Sequence, residues 1–194
     1  HLFRSHEAEV RRFVRLRLSE LSPSRDPVWM AGIVAGLRTQ MTRRGKMVIL
    51  SLDDMSATVE VSVFSELYDA QRSTFREDEL LCVLGKVQKD DYTGGLRVTA
   101  EKVCDLPEAR AQFAKRLRVR LNGIASGEAL RGAIEPFSQP VRQGAAGVPV
   151  VLEYGNAQAA CAVELGAQWR VRPSDELMEA VRVTLHPQQL ALEY

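Results

Sequence analysis

Between Val28 and Met41 runs a long apolar stretch interrupted by Gly32 and Gly36, and no other feature restricts the fold of this chain as strongly. Glycine inside a strand pattern marks a bulge or a tight bend, which a strand wrapping a small barrel requires. Thr42-Arg-Arg-Gly-Lys46 then supplies a hairpin loop with its glycine, and Met47–Leu52 reads as the returning strand. After the turn Asp53-Asp-Met-Ser56, the run Thr58–Phe64 alternates with period two. Val59, Val61 and Val63 face a core, and Thr58, Glu60 and Ser62 face outward. Ser65-Glu-Leu-Tyr68 opens a helix reaching about Phe75, with Ser65 as cap and Glu66 complementing the dipole. Leu80–Gln88 is a fourth strand, Lys89–Gly95 a hairpin loop and Leu96–Leu106 a fifth strand. Three meander strands, a helix and a last hairpin are the order of an OB-fold, a five-stranded Greek-key barrel with its helix between strands 3 and 4.

The barrel is expected over residues 27–107, with a segment on either side. Residues 1–26 read as a helix over 5–18, capped by Ser5 and presenting Val10, Phe13 and Val14 on one face, followed by the proline-bearing linker Leu21–Pro27. Residues 108–194 read as a separate α+β domain. Asp105-Leu-Pro-Glu108 resembles a capping box for a helix reaching about Lys115, after which Leu117, Val119 and Leu121 alternate with Arg116, Arg118 and Arg120 as a strand with one wet face. Ser126 caps a helix with Leu130, Ile134 and Phe137 on one side, and the loop Gln139–Gly147 follows. Val148–Tyr154 and Gln158–Leu165 pair about a hairpin at Gly155-Asn156, and Gln168–Val171 is a further short strand. Ser174 caps a helix that buries Leu177, Met178 and Val181, and Leu190–Leu192 is a last strand. The fold class is therefore mixed: a short N-terminal helix, a five-stranded OB-fold β-barrel and a small α+β domain.

Several classes of function are disfavoured by what the 194 residues contain. No apolar run approaches the roughly 18 residues that cross a bilayer, and no membrane partner is expected. His1 in place of Met is the start expected of a piece of something longer, or of a processed start. Cys82, Cys104 and Cys161 are widely separated in apolar, strand-like runs, as free buried thiols in a reducing compartment would be. The histidines offer no spacing for a metal, so no metal site and no cofactor is expected. Asp53-Asp54 invites a two-metal reading. Adjacent residues on a strand point to opposite faces, however, and no third carboxylate is near, so a turn with Asp as local acceptor is the better account. Asp90-Asp91 reads the same way, beside Gly94-Gly95. With no nucleophile–base pair and no glycine-rich phosphate loop at meaningful spacing, no catalytic residue is assigned.

Charge distribution is more informative than the net charge of +1. From Pro27 to Leu52 the only charged residues are Arg38, Arg43, Arg44 and Lys46. In OB-folds an oligonucleotide crosses the face of strands 2 and 3 while the loops between strands 1–2 and 4–5 close over it. Arg43, Arg44 and Lys46 occupy the first of those loops, and Lys89 and Tyr92 the second, a charge and a ring such as single-strand binders combine. Arg38, Lys86 and Arg97 on flanking strands extend the track, with Phe64 as a weaker stacking candidate against a core role. From the residues alone, a solvated hairpin with gatekeeper charges is an equal alternative. Arg116, Arg118 and Arg120 could meet DNA, an acidic partner or only water.

Thr42–Asp54 followed by Val59–Phe64 resembles the OB domain of the bacterial DNA polymerase III alpha subunit, the C-family replicative polymerase. Gly85-Lys-Val-Gln, Tyr92–Ala100 and Asp105–Arg110 are similar to the same family's later strands and exit, and Leu165–Asp175 to its last domain in the proteobacterial form. The OB part alone also resembles anticodon-binding domains of class II aminoacyl-tRNA synthetases. The resemblance implies that the catalytic aspartates lie upstream, so that the parent protein is a DNA-directed DNA polymerase and this segment non-catalytic. Residues 1–26 would be the end of the fingers region. The OB domain would bind single-stranded template DNA, and the last domain would dock the tau subunit of the clamp loader, among other parts of the polymerase III holoenzyme. It further implies a bacterial cytoplasmic protein, at the nucleoid's replication forks. Two alternatives stay open: an OB-fold used only for protein–protein contact, and a tRNA-binding module.

Overall fold

The structure is a computed structural model that describes residues 2–43, 45–91, 94–121, 126–138, 147–155 and 158–194. The chain divides into two units, His1–Leu106 and Pro107–Tyr194.

The first unit is built on a closed barrel of β1 (Val28–Thr42), β2 (Gly45–Asp53), β3 (Thr58–Phe64), β4 (Leu80–Lys89) and β5 (Leu96–Asp105), in the order β1-β2-β3-β5-β4. Every neighbouring pair is antiparallel except β3 with β5, which closes the barrel through Val61↔Val98 and Ser62↔Thr99. One long strand reaches two partners because β1 bends: Val28–Ile33 pairs with β4 and Ile33–Thr42 with β2, the register shifting between Val34 and Gly36. Gly32 sits where the strands change over. A Cβ there would stand 3.0 Å from the backbone of Asp53, so the approach requires glycine. Met30, Leu50, Leu52, Val61, Leu81, Val83 and Val98 fill the interior.

The helix after β3 is shorter than its sequence pattern suggests. It is α-helical only over α2 (Ser65–Ala70), continuing as a 3-10 turn over Arg72–Thr74. Its N-cap is Phe64, still extended, with no side-chain cap bond; Ser65 is already the first helical residue and cannot serve as the cap. The N-terminal helix also differs: α1 spans Leu2–Val10, so Ser5 lies inside it, and Arg11–Phe13 form only a turn. Residues 14–17 leave the helix to place the Leu18 N–H 2.9 Å from the Asp54 carboxylate, and Val14 and Leu18 are buried. Tertiary hydrogen bonding and burial outweigh local helix propensity here. α1 packs on β1, with Phe3 and Val10 fully buried.

The second unit is a four-stranded sheet ordered β8-β7-β6-β9, from β6 (Arg116–Leu121), β7 (Val150–Gly155), β8 (Ala160–Glu164) and β9 (Gln189–Glu193). β6 and β7 are parallel, and β6–β9 and β7–β8 antiparallel. α3 (Leu106–Phe113) leads into β6 and stops before Lys115. α4 (Gly127–Ile134) and α5 (Asp175–Leu185) pack on each other. Ser126 accepts from the Ala129 N–H at 3.1 Å and Ser174 from the Leu177 N–H at 3.3 Å, so both caps fall where the sequence places them. Leu117, Val119, Ile134, Val150, Leu177 and Val181 form the core. Gln168–Val171 is not a strand. Ala167–Trp169 is a 3-10 turn, and Val171 makes only isolated bridges to Ser138 and Val148, the latter preceding β7. Asp105 closes β5, and α3 begins at Leu106. Cys82 and Cys104 are buried cross-strand neighbours, but Cys161 is exposed because β8 is an edge strand. The loop at 139–146 and the hairpin residue Asn156 lie outside the described residues.

Candidate nucleic-acid interface

Strand parity decides which basic residues share a surface. On β2 the even positions Val48, Leu50 and Leu52 are buried, so Met47 and Ile49 turn their side chains to the other face. Register then carries that face around the barrel. Arg38 on β1 lies opposite Ile49, Ile49 opposite Ser62 on β3, Ser62 beside Thr99 on β5 and Thr99 opposite Lys86 on β4. Four inter-strand steps make this row about 19 Å long. A second row places Gln40 opposite Met47 and Met47 opposite Phe64, while Gln88 faces Arg97. All of these residues, with Arg43, line one groove of about 790 Å³.

The groove brings together Arg38, Arg43, Phe64, Lys86 and Arg97 of the sequence candidates. Phe64 is not a core residue: it is 38% exposed, because the end of β3 presents it on the groove side beside Met47. Lys46 and Lys89 do not line the groove, and the reason is parity. Lys46 shares the alternation of buried Val48 and leans over the Tyr68 ring of α2 at 5.5 Å, forming a cation–π contact at the barrel's end. Lys89 shares the alternation of buried Val87 and is exposed beyond the barrel. Arg44 and Tyr92 lie outside the described residues.

The groove's electrostatics are mixed rather than purely basic. Glu60, Asp90 and Glu101 line it as well. One nitrogen of Arg38, Nη2, donates to both Glu60 carboxylate oxygens at 2.8 Å, and Arg97 stands 3.8 Å from Asp90. Arg43 and Lys86 are exposed and have no carboxylate partner among the described residues. Sequence alternation already turns Glu60 and Ser62 outward. That Ile49, Thr99 and Gln88 share their surface depends on register, which no local pattern reveals.

At the opposite end of β2, the paired aspartates are hydrogen-bond acceptors in a turn. Asp53 accepts from the Met55 N–H at 2.6 Å, and Asp54 accepts from the Ser56 N–H and hydroxyl and the Ala57 N–H. Asp54 does more than close the turn. Its second oxygen takes Arg11 at 2.7 Å and the Leu18 N–H at 2.9 Å, tying the N-terminal segment to the barrel across a gap of 36 residues at the latter. Burial opposes its ionisation, yet the bonds from Ser56, Leu18 and Arg11 together hold the carboxyl below its ordinary value. No group of three His, Cys, Asp or Glu comes together as a metal site among the described residues.

Two of the three arginines of β6, Arg116 and Arg118, are paired with neighbours. Arg116 donates to Glu193 at 2.5 Å, and Arg118 lies 2.9 Å from Glu193 and 3.7 Å from Glu153. Arg110 is buried and spans from α3 to the Pro173 carbonyl and to Asp175 at 2.7 Å, pinning the start of α5. No helix among the described residues is long and apolar enough to cross a membrane.

Residues 28–119 match the family model of the OB-fold nucleic acid binding domain, and residues 130–185 that of the DNA polymerase III subunit alpha C-terminal domain. Over its whole length the chain is 38% identical to DNA polymerase III subunit alpha of Pseudomonas aeruginosa and 33% identical to that of Escherichia coli K12. It spans 16% and 17% of those relatives. Among solved structures, the second OB-fold domain of replication protein A from Methanococcus maripaludis is similar over 47% of this chain and 93% of that one, at 18% identity and a TM-score of 0.38.

Proposed function

The chain belongs to the DNA polymerase III subunit alpha family, as its C-terminal region, and we propose that its barrel holds single-stranded DNA in the groove while its second unit docks a partner of the replication machinery. The observation that carries the first half is the continuous row from Arg38 through Ile49, Ser62 and Thr99 to Lys86, with Phe64 beside it. Phosphates take the cations and hydroxyls, and one base stacks on the exposed Phe64 ring, the division of labour that sequence-tolerant single-strand binding uses. Glu60, Asp90 and Glu101 in the same groove keep the affinity low, and the phosphate contacts of its cations make it fall with rising salt. The segment supplies template handling and tethering rather than catalysis, within a bacterial, cytoplasmic DNA-directed DNA polymerase.

Fluorescence anisotropy with labelled oligo-dT at low salt tests this reading. The Arg38→Ala/Arg43→Ala/Lys86→Ala variant should bind at least tenfold more weakly than the parent chain, with a shallower salt dependence. Equal affinities would refute it. The partner we assign to the second unit is the tau subunit of the clamp loader, supported by the match of residues 130–185 to the alpha C-terminal domain. Titration calorimetry of the full chain with purified tau should give saturable binding, and its absence would remove the assignment. Retention of tau binding with no DNA binding would favour a barrel used only for protein contact.

A further inference from the structure

We propose that Glu60 sets the affinity of the groove by standing on Arg38 in the position a phosphate would take. The inference rests on the reading of the groove as a single-strand site and names the residue that regulates it. Arg38 begins the row that crosses the barrel, and its Nη2 already donates to both oxygens of Glu60 at 2.8 Å. A carboxylate bound in this way offers an arginine two acceptor oxygens, as a phosphodiester does. Both side chains are more than half exposed, at 61% and 62%, so the pair is held only weakly and a competing anion reaches it from water. Glu60 comes from β3, opposite Ser51, one step along the strand from Ser62 in the row itself. A DNA strand entering the groove therefore exchanges one anion for another at Arg38, and Glu60, released, remains in the groove as a negative charge near the backbone. Glu101 lines the same groove with no cationic partner among the described residues, which makes it the matched control for charge alone.

The test is oligo-dT anisotropy on the full chain across a salt series. Glu60→Gln should tighten binding about three- to tenfold with little change in the slope of log affinity against log salt, because Arg38 meets one phosphate in both chains. In the Arg38→Ala background the same substitution should give less than a twofold gain, and Glu101→Gln less than half the gain of Glu60→Gln. Unchanged affinity for Glu60→Gln, or an equal gain with and without Arg38, overturns the proposal while leaving the DNA-binding reading intact. No binding of oligo-dT by the parent chain or any variant overturns both.

Discussion

Two arginine–carboxylate pairs flank strand β2, one just past its end and one across its middle, and they have opposite consequences. At one end Arg11 meets Asp54, 17% and 0% exposed, inside a set of bonds that also takes up Leu18 and Ser56. Across the middle of β2, where Arg38 of β1 lies opposite Ile49 and Glu60 of β3 opposite Ser51, Arg38 meets Glu60 with both side chains open to water. Closed away from solvent, an ion pair is a structural joint, since removing one partner strands a buried charge. Left in water, the same chemistry holds weakly and is available to a third ion. β6 shows an intermediate arrangement, in which Glu193 and Glu153 from the flanking strands occupy Arg116 and Arg118.

This contrast can be broken or sharpened by measurement. The largest effect is expected from Asp54→Asn, which should lower the stability of the first unit by about 3 kcal/mol in urea unfolding, because the Nη2 of Arg11 loses its buried charged acceptor. Its pH dependence follows with a definite sign. The Asp54 carboxyl is held below its ordinary value of 3.8 in the folded chain, so its contribution is complete above about pH 4 and disappears as pH falls through the folded value. The parent chain should therefore lose stability in acid more steeply than the Asn variant, and parallel acid limbs would remove Asp54 from the account. Next in size, Phe64→Ala should weaken oligo-dT binding by about 1–2 kcal/mol if one base stacks there, with stability nearly unchanged. An affinity equal to the parent's would show that the ring has no part in binding. Smaller still, Arg116→Ala/Arg118→Ala/Arg120→Ala should alter oligo-dT affinity by less than twofold. A loss matching that of the groove triple would move the site to the second unit. The smallest effect is on stability at the open pair: Glu60→Gln should change it by about 0.5 kcal/mol or less.

How much of this was legible in the sequence follows from the range of the interactions involved. The barrel was, because period-two alternation in Thr58–Phe64 and the glycines of β1 are local consequences of strand geometry. The caps Ser126 and Ser174 were, because a serine oxygen reaches an N–H three residues on. Helix 5–18 was not, because the Asp54 carboxylate that draws out residues 14–18 is remote in the chain. In the groove, alternation marked outward residues strand by strand, but Lys46 and Lys89 were grouped with it by loop position when their parity sends them elsewhere. The β6 arginines looked like a basic face since Glu193, which closes two of them, lies some 75 residues away.

The seam between β3 and β5 is short, two register pairs where the other joints of the barrel carry several. Cooperative units open first where the fewest bonds hold them, so the barrel should breathe along this line, and its amides should exchange with deuterium ahead of those between β1 and β2. Ser62 and Thr99 stand on that seam. The floor beneath the middle of the row is thus its most compliant part, able to widen or narrow by small separations of two strands while the Met30–Leu50–Val83 interior stays packed.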